Sequence, residues 1–374
     1  MRKSEGLSKL LPGEQMKLGE DPSMAQSFEP MPARSLDRRS FIFGSLRLGA
    51  SAATSFQAIS SAVAQVKPHR IDVHHHISPP TYVTEIAGRN LIQAPTRDWT
   101  PARSVEDMDK AGVAIAITSV TTPGLSFAEQ GLARRLAREC NEYATRLASD
   151  HPGRFGTFAM LPLPDIDGSL AELVYALDVL KADGVALFTS YGNRWLGDSS
   201  FTPVMDELNR RAAVVYTHPR TADCCRNLIP GVPEPIIEYG TDTTRTIASL
   251  VFSGGANKYR NAKFIFSHAG GTLPFLTERF VRLPLLDKSL QAHVPEGVLP
   301  ELKRFYYDTA QAAHPMALAS LLKLVSVSQV VFGTDFPFRT SLDHVIGLQE
   351  FGLGESDLRA IDRDNAIRLL PRYA

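Results

Sequence analysis

The stretch RIDVHHHISPP, residues 70–80, sets His74, His75 and His76 behind a short apolar run and ahead of two prolines. An internal triplet that follows strand-like alternation is not a purification tag. Successive side chains of a regular strand point to opposite faces. Asp72, His74 and His76 then share one face, and Ile71, Val73 and His75 share the other. Two imidazoles on one side of one strand can grip one metal ion, and can equally be hydrogen-bonded structural groups. Partners come from further along the chain, where apolar runs end in THP at His218, SHAGG at His268 and GTDFPF at Asp335. Imidazole and carboxylate ligands suit zinc, with manganese or iron also compatible, and need no thiolate. Three histidines and one aspartate, with room for water or substrate, make a catalytic site rather than a closed structural one. His74, His76, His218, His268 and Asp335 compete for about four places. His268, followed by Ala-Gly-Gly that lets the backbone pass close to a ligand, is the one read as an acid/base group off the metal. A lysine at the end of the fourth apolar run would be able to carry a carbamate bridging two metals. GVALFTSYG contains none, which favours a mononuclear centre.

Elements that bring these residues together must alternate in a regular way. Short β-rich runs at 70–76, 113–120, 155–161, 184–189, 213–218, 263–268, 305–309 and 329–334 alternate with longer amphipathic stretches. The segment 126–150 carries Leu132, Leu136, Cys140, Tyr143 and Leu147 at helical spacings of three and four, with charges between them. FTPVMDELNRRA places Thr202 as a helix cap before Pro203. Eight strand–helix repeats predict an α/β fold, a (β/α)8 barrel of the TIM type. The competing doubly wound sheet lacks a GxGxxG fingerprint after its first strand. Barrel enzymes build their sites at the C-terminal ends of the strands. Four of the ten histidines, together with Asp335, fall at such ends.

Composition narrows the partners. The 374 residues are 44% hydrophobic and carry 40 basic and 40 acidic side chains, so nothing points to nucleic acid, and an anionic substrate must be recognised by a few local groups. The cysteines Cys140, Cys224 and Cys225 have neither CxxC spacing nor the density of a disulfide framework, and read as buried thiols, with the adjacent pair near a strand end. Residues 1–64 do not read as fold. LDRRSFIFG sets Arg38-Arg39 ahead of a mildly apolar, Ala/Ser-rich stretch that ends in Ala62-Val63-Ala64 at cleavage spacing. This resembles a twin-arginine export signal, which implies a periplasmic or secreted protein, or a cytoplasmic one if the leader is not so read. Arg47 and many serines argue against a stable membrane span. Residues 65–374 form a single barrel domain in this reading.

HxH at His74 and His76, THP at His218, SHAGG at His268 and GTDFPF at Asp335 together resemble the amidohydrolase superfamily, over nearly all of residues 69–370. The resemblance is closest to the branch of aminocarboxymuconate-semialdehyde decarboxylase and the related aromatic acid decarboxylases. IDVHHHISPPTY and YYDTAQAAHP look closer still to 6-methylsalicylate decarboxylase-like proteins. The resemblance implies one divalent metal per chain, zinc before manganese, held by His74, His76, His218 and Asp335. It implies proton transfer by His268; the residues themselves leave open whether His268 or Asp335 delivers the proton. It also implies a homodimer in which Arg279, eleven residues after His268, reaches the carboxylate of a small-molecule substrate in the neighbouring subunit. The branch's further substrate-binding arginine has no counterpart in a matching motif. Arg89, Arg97 and Arg103 lie nearby, and the role stays unassigned. Phe188, Tyr191, Trp195, Phe336 and Phe338 lie near strand ends, where they either sandwich an aromatic ring or pack the barrel top. A metal-dependent hydrolase of a lactone, amide or ester, and a non-enzymatic exported metal-binding protein, are the rival readings.

Overall fold

The computed structural model describes residues 68–374. The leader expected over 1–64 lies outside them. Eight parallel strands run in sequence order: β1 (Arg70–Ile77), β2 (Val113–Val120), β3 (Phe155–Met160), β4 (Gly184–Phe188), β5 (Val214–His218), β6 (Lys263–Phe266), β7 (Tyr306–Asp308) and β8 (Val330–Val331). The last strand returns to the first through backbone bonds from Val73 to Phe332 (2.9 Å), from Asp335 to His74 (2.8 Å) and from His76 to Phe336 (2.8 Å). The (β/α)8 expectation holds. One main helix follows each strand: α1 (Pro101–Ala111), α2 (Gln130–Asp150), α3 (Ile166–Val174), α4 (Thr202–Arg210), α5 (Glu238–Phe252), α6 (Leu273–Leu286), α7 (Pro315–Leu324) and α8 (Ser341–Phe351).

Local chemistry sets two helix starts differently from the sequence expectation. α2 begins at Gln130 because the Glu129 carboxylate accepts the backbone N–H groups of Gly131 and Leu132. Thr202 is not a cap. A 3-10 turn over Ser199–Phe201 runs straight into α4, and it is Asp198 that accepts the N–H of Ser200 at the start of that turn.

The barrel interior is filled by Ile71, Val73, Ile117, Phe158, Tyr216 and Ile265, packed with Ala366 and Leu369 of the C-terminal segment. Arg363 of that segment donates to the His69 carbonyl just ahead of β1 (3.1 Å), so the plug sits at the N-terminal end and leaves the other end for chemistry. Each fully buried aliphatic or aromatic side chain here contributes about 1.5–3 kcal/mol of transfer free energy.

β1 departs from regular alternation. Asp72 pairs with Ala116 and His75 with Thr118, three residues on one strand against two on the other, which is a β-bulge. The extra residue shifts the phase. Ile71 and Val73 face the interior below it, and His74 and His76 face the interior above it, against Tyr216 and His218. The expectation that Ile71 and Val73 oppose the two histidines is therefore corrected. Asp72 and His75 are left on the helix side, where His75 bonds Asp72 (3.1 Å) and Ser104 of α1 (2.9 Å).

β8 is shorter than the sequence suggests, because Asp72 captures the chain that follows it. Its carboxylate accepts the backbone N–H (3.2 Å) and hydroxyl (2.6 Å) of Thr334, and Asp335 then turns to a φ of 62°. Gly333 is needed at this crossing, since a Cβ there would lie 2.9 Å from the Cβ atoms of both Asp308 and His74.

Candidate metal centre and active site

Four of the sequence-predicted residues converge at the C-terminal rim. One donor atom from each of His74, His76, His218 and Asp335 lies within 4.8 Å of the others, and all four side chains are buried. Asp335 Oδ1 sits 3.0 Å from His76 Nε2, 3.2 Å from His74 Nε2 and 3.9 Å from His218 Nε2. The opposite nitrogens are engaged elsewhere. His74 Nδ1 bonds Asp308 Oδ2 (2.8 Å), His218 Nδ1 bonds the Pro219 carbonyl (2.8 Å), and His76 Nδ1 bonds Ser119 Oγ (3.2 Å). A carboxylate and a carbonyl can only accept, so His74 and His218 carry hydrogen on Nδ1 and aim Nε2 at the centre. That is the arrangement of metal-bound imidazoles held by outer partners.

The electrostatics of the donor set fit a cation. Burial opposes charge on His74, yet Asp308 and Asp335 outweigh it and raise its pKa to about 10. Burial pushes His76 down, and His218 down to about 3. Burial also pushes the Asp335 carboxyl up, but the charge of His74 and the surrounding imidazole hydrogen bonds override it and hold it well below the usual range. Charge is thus favoured on one imidazole and disfavoured on two, with the Nε2 atoms of His74 and His76 only 3.1 Å apart. A divalent ion bound by the lone pairs and the carboxylate resolves this crowding.

His268 stands just off the cluster. Its backbone, at a φ of 54°, donates to Asp308 Oδ1 (2.8 Å), and its Nε2 lies 3.4 Å from Asp335 Oδ2. Beyond that long contact, the buried nitrogen has no hydrogen-bond partner among the described residues. The glycines behind it serve packing: a Cβ on Gly271 would strike the Gly240 carbonyl of α5, and one on Gly270 the Tyr307 ring. A cavity of about 750 Å³ opens above, lined by His218, His268, Asp335, Gln311, Tyr239 and Phe338 among others. Among the described residues, none that lines it is a lysine or an arginine.

Other sequence candidates land elsewhere. Arg279 is exposed on α6, outside the cavity lining. Arg89, Arg97 and Arg103 pair with Glu85, Asp98 and the Asp98 carbonyl. Of the five aromatics, only Phe338 lines the cavity. Phe188 and Tyr191 pack beside His218 in a small neighbouring pocket, Trp195 donates to Asp242 (2.7 Å), and Phe336 stacks on His75 at 4.7 Å. Cys140 and Cys225 are buried free thiols and Cys224 is exposed; none lines the cavity. Asp308, Gln311 and Tyr239 were missed. Asp308 ends β7, so the strand-end rule that found its neighbours reaches it as well. Gln311 lies past the strand end and is neutral, which leaves no such signal.

Eight parallel strands around a packed core, with three imidazoles and a carboxylate converging on the C-terminal rim, define a metal-dependent barrel enzyme. The chain belongs to the amidohydrolase family, whose profile matches residues 71–372. Decarboxylase yanB of Aspergillus niger is 40% identical, over 81% of this chain and 88% of that protein. The 6-methylsalicylic acid decarboxylase of Penicillium expansum is 35% identical, over 81% of this chain and 96% of that protein. A dihydroxybenzoic acid decarboxylase from a Polaromonas species, solved with bound manganese and the inhibitor 2-nitroresorcinol, superposes with a TM-score of 0.69 at 20% identity, covering 82% of this chain and 98% of that one. At that identity the likeness speaks to the fold.

Proposed function

We propose that the protein is a metal-dependent decarboxylase of a small hydroxyaromatic acid of the 6-methylsalicylate type. The observation that carries this reading is the convergence of three imidazole nitrogens on Asp335 Oδ1 beside an unbonded His268 Nε2, at the floor of a cavity with an aromatic wall. Relatives named as decarboxylases cover most of the chain. In this proposal His74, His76, His218 and Asp335 hold one divalent ion, zinc by its donor set or manganese. When bound, the ion orients the substrate carboxylate and an adjacent oxygen and stabilises the charge that develops as the carbon–carbon bond breaks. Cleavage releases carbon dioxide and leaves the bonding electron pair on the ring carbon, which must then take up one proton. His268 Nε2 delivers it from the cavity floor, with Asp335 as the other candidate carrier.

Beyond the ion, a carboxylate substrate finds no lysine or arginine among the described residues that line the cavity. Arg279 sits on one helix with the exposed apolar residues Phe275 and Leu286, at spacings of four and seven that share a face. An apolar helical stripe with an arginine in it suits a homodimer contact in which Arg279 enters the neighbouring subunit's mouth. The leader around Arg38-Arg39 adds the proposal of twin-arginine export. Among the described residues no helix is long and apolar enough to cross a membrane.

The test is a decarboxylation screen across hydroxybenzoates, 6-methylsalicylate included, with metal-loaded protein. Carbon dioxide release with one ion per chain is expected. Acid release from lactones, with no turnover of any hydroxybenzoate, would replace this reading by the hydrolase one.

A further inference from the structure

The two oxygens of Asp335 have different neighbours. Oδ1 faces the three Nε2 atoms, whereas Oδ2 accepts a hydrogen bond from Gln311 Nε2 (2.9 Å) and stands 3.4 Å from His268 Nε2. The amide orientation follows from chemistry, since only its NH2 end can serve a carboxylate. Gln311 also holds a left-handed backbone, φ 55°, which is uncommon for a side-chain-bearing residue. A buried histidine fixes it there. His344 Nδ1 bonds the Thr340 carbonyl (3.0 Å), which leaves Nε2 as a lone pair that accepts the Gln311 backbone N–H (3.0 Å).

We infer that Gln311 is a positioning residue that takes up Asp335 Oδ2 and so leaves His268 Nε2 free for the substrate. Without the amide, His268 Nε2 is a donor within reach of Oδ2 and needs to close only from 3.4 Å to hydrogen-bond distance. The imidazole would then be tied to a metal ligand instead of facing the cavity. His344 holds the strained turn that delivers the amide, which is strain kept where it is used. This inference rests on the proposed role of His268 and adds to it a residue that keeps the two groups apart.

The experiment pairs Gln311→Leu and Gln311→Gly with His268→Ala, using 6-methylsalicylate as substrate. Glycine suits φ 55°, so Gln311→Gly removes the amide with no cost at the turn, and it guards against a folding failure in the leucine variant. Both variants should keep one metal per chain and a KM within about threefold, while kcat falls by about 10-fold or more, at the low end of the scale for impaired proton transfer. In the His268→Ala background the same substitutions should change kcat by less than about twofold, because residues acting through one another are not additive. Full kcat in Gln311→Gly, loss of metal, or an equal fall in both backgrounds would overturn the inference. Wild-type kcat in His268→Ala alone would overturn the acid/base reading itself, and is seen in the single variant without reference to Gln311.

Discussion

Asp308 holds His74 in place through a 2.8 Å hydrogen bond from Nδ1 to Oδ2, with both side chains fully buried. The same carboxylate accepts the His268 backbone N–H through its other oxygen (2.8 Å). One residue thus sets an imidazole of the proposed metal site and the start of the loop proposed for acid/base chemistry. Asp308→Asn keeps the shape but removes the charge that favours His74 as ligand. Metal affinity should weaken by about 10- to 100-fold, read by competition with a chelator. An unchanged dissociation constant would separate Asp308 from the metal site.

His75 and His76 are adjacent, yet their losses should differ in kind. His76→Ala should empty the site and abolish turnover. His75→Ala should keep the metal, since its ring faces α1, but should remove one hydrogen-bond partner each from the buried Asp72 and Ser104. Asp72 keeps its bonds from His74 and Thr334, so the loss of one buried hydrogen bond costs about 1–3 kcal/mol, measurable by urea unfolding. Metal loss in His75→Ala, or metal retention in His76→Ala, would reverse the assignment.

Strand positions were legible because buried parallel strands read as short apolar runs, and the ends of those runs named His218, His268 and Asp335. The phase of β1 was not legible. Nothing in RIDVHHH marks the bulge, which is fixed by Asp72 reaching across to Thr334, 262 residues away. The second layer was legible only in part. Asp308 lies at a strand end, but its bonds to His74 and His268 span 234 and 40 residues, and the Gln311 side chain acquires meaning only when β7 and β8 lie side by side. Long-range contacts of this kind leave no periodic trace.

Acid should expose two surface carboxylates. Hydrogen bonds from Arg210 and Arg211 hold Glu207 down to about 2, and those from Arg134 hold Asp165 down to about 2. A depressed folded pKa gives stability that is present above the unfolded value, near 4.5 for Glu207 and 3.8 for Asp165, and lost as pH falls toward 2. Screening limits each contribution to about 1 kcal/mol or less. Glu207→Gln should flatten the stability profile between these limits while leaving it unchanged at pH 7 apart from a constant offset. A profile as steep as that of the parent protein would remove Glu207 from the account.

Replacing Arg38 and Arg39 with lysine should hold the precursor in the cytoplasm if the leader is read by the twin-arginine machinery. Fractionation would report this directly. Undiminished periplasmic protein from the double variant would refute that route.

Arg279 and His268 can be tested together, because one concerns assembly and the other chemistry. His268→Ala should keep its metal while turnover drops by about 10²-fold or more, the usual scale for a lost general acid or base. Arg279 lies outside its own cavity lining on α6, so a role in binding requires a second subunit. A guanidinium can clamp a carboxylate through two parallel hydrogen bonds, which a lysine cannot reproduce, so if Arg279 binds substrate in this way Arg279→Lys should raise KM nearly as much as Arg279→Ala. If the clamp crosses the dimer, each site draws His268 from one chain and Arg279 from the other. A mixed dimer of the two alanine variants then contains one site with both residues and one with neither. Mixing the inactive parents should restore part of the activity once subunits exchange. No rescue, with exchange shown independently by a tag pull-down, would confine Arg279 to its own chain or to the fold.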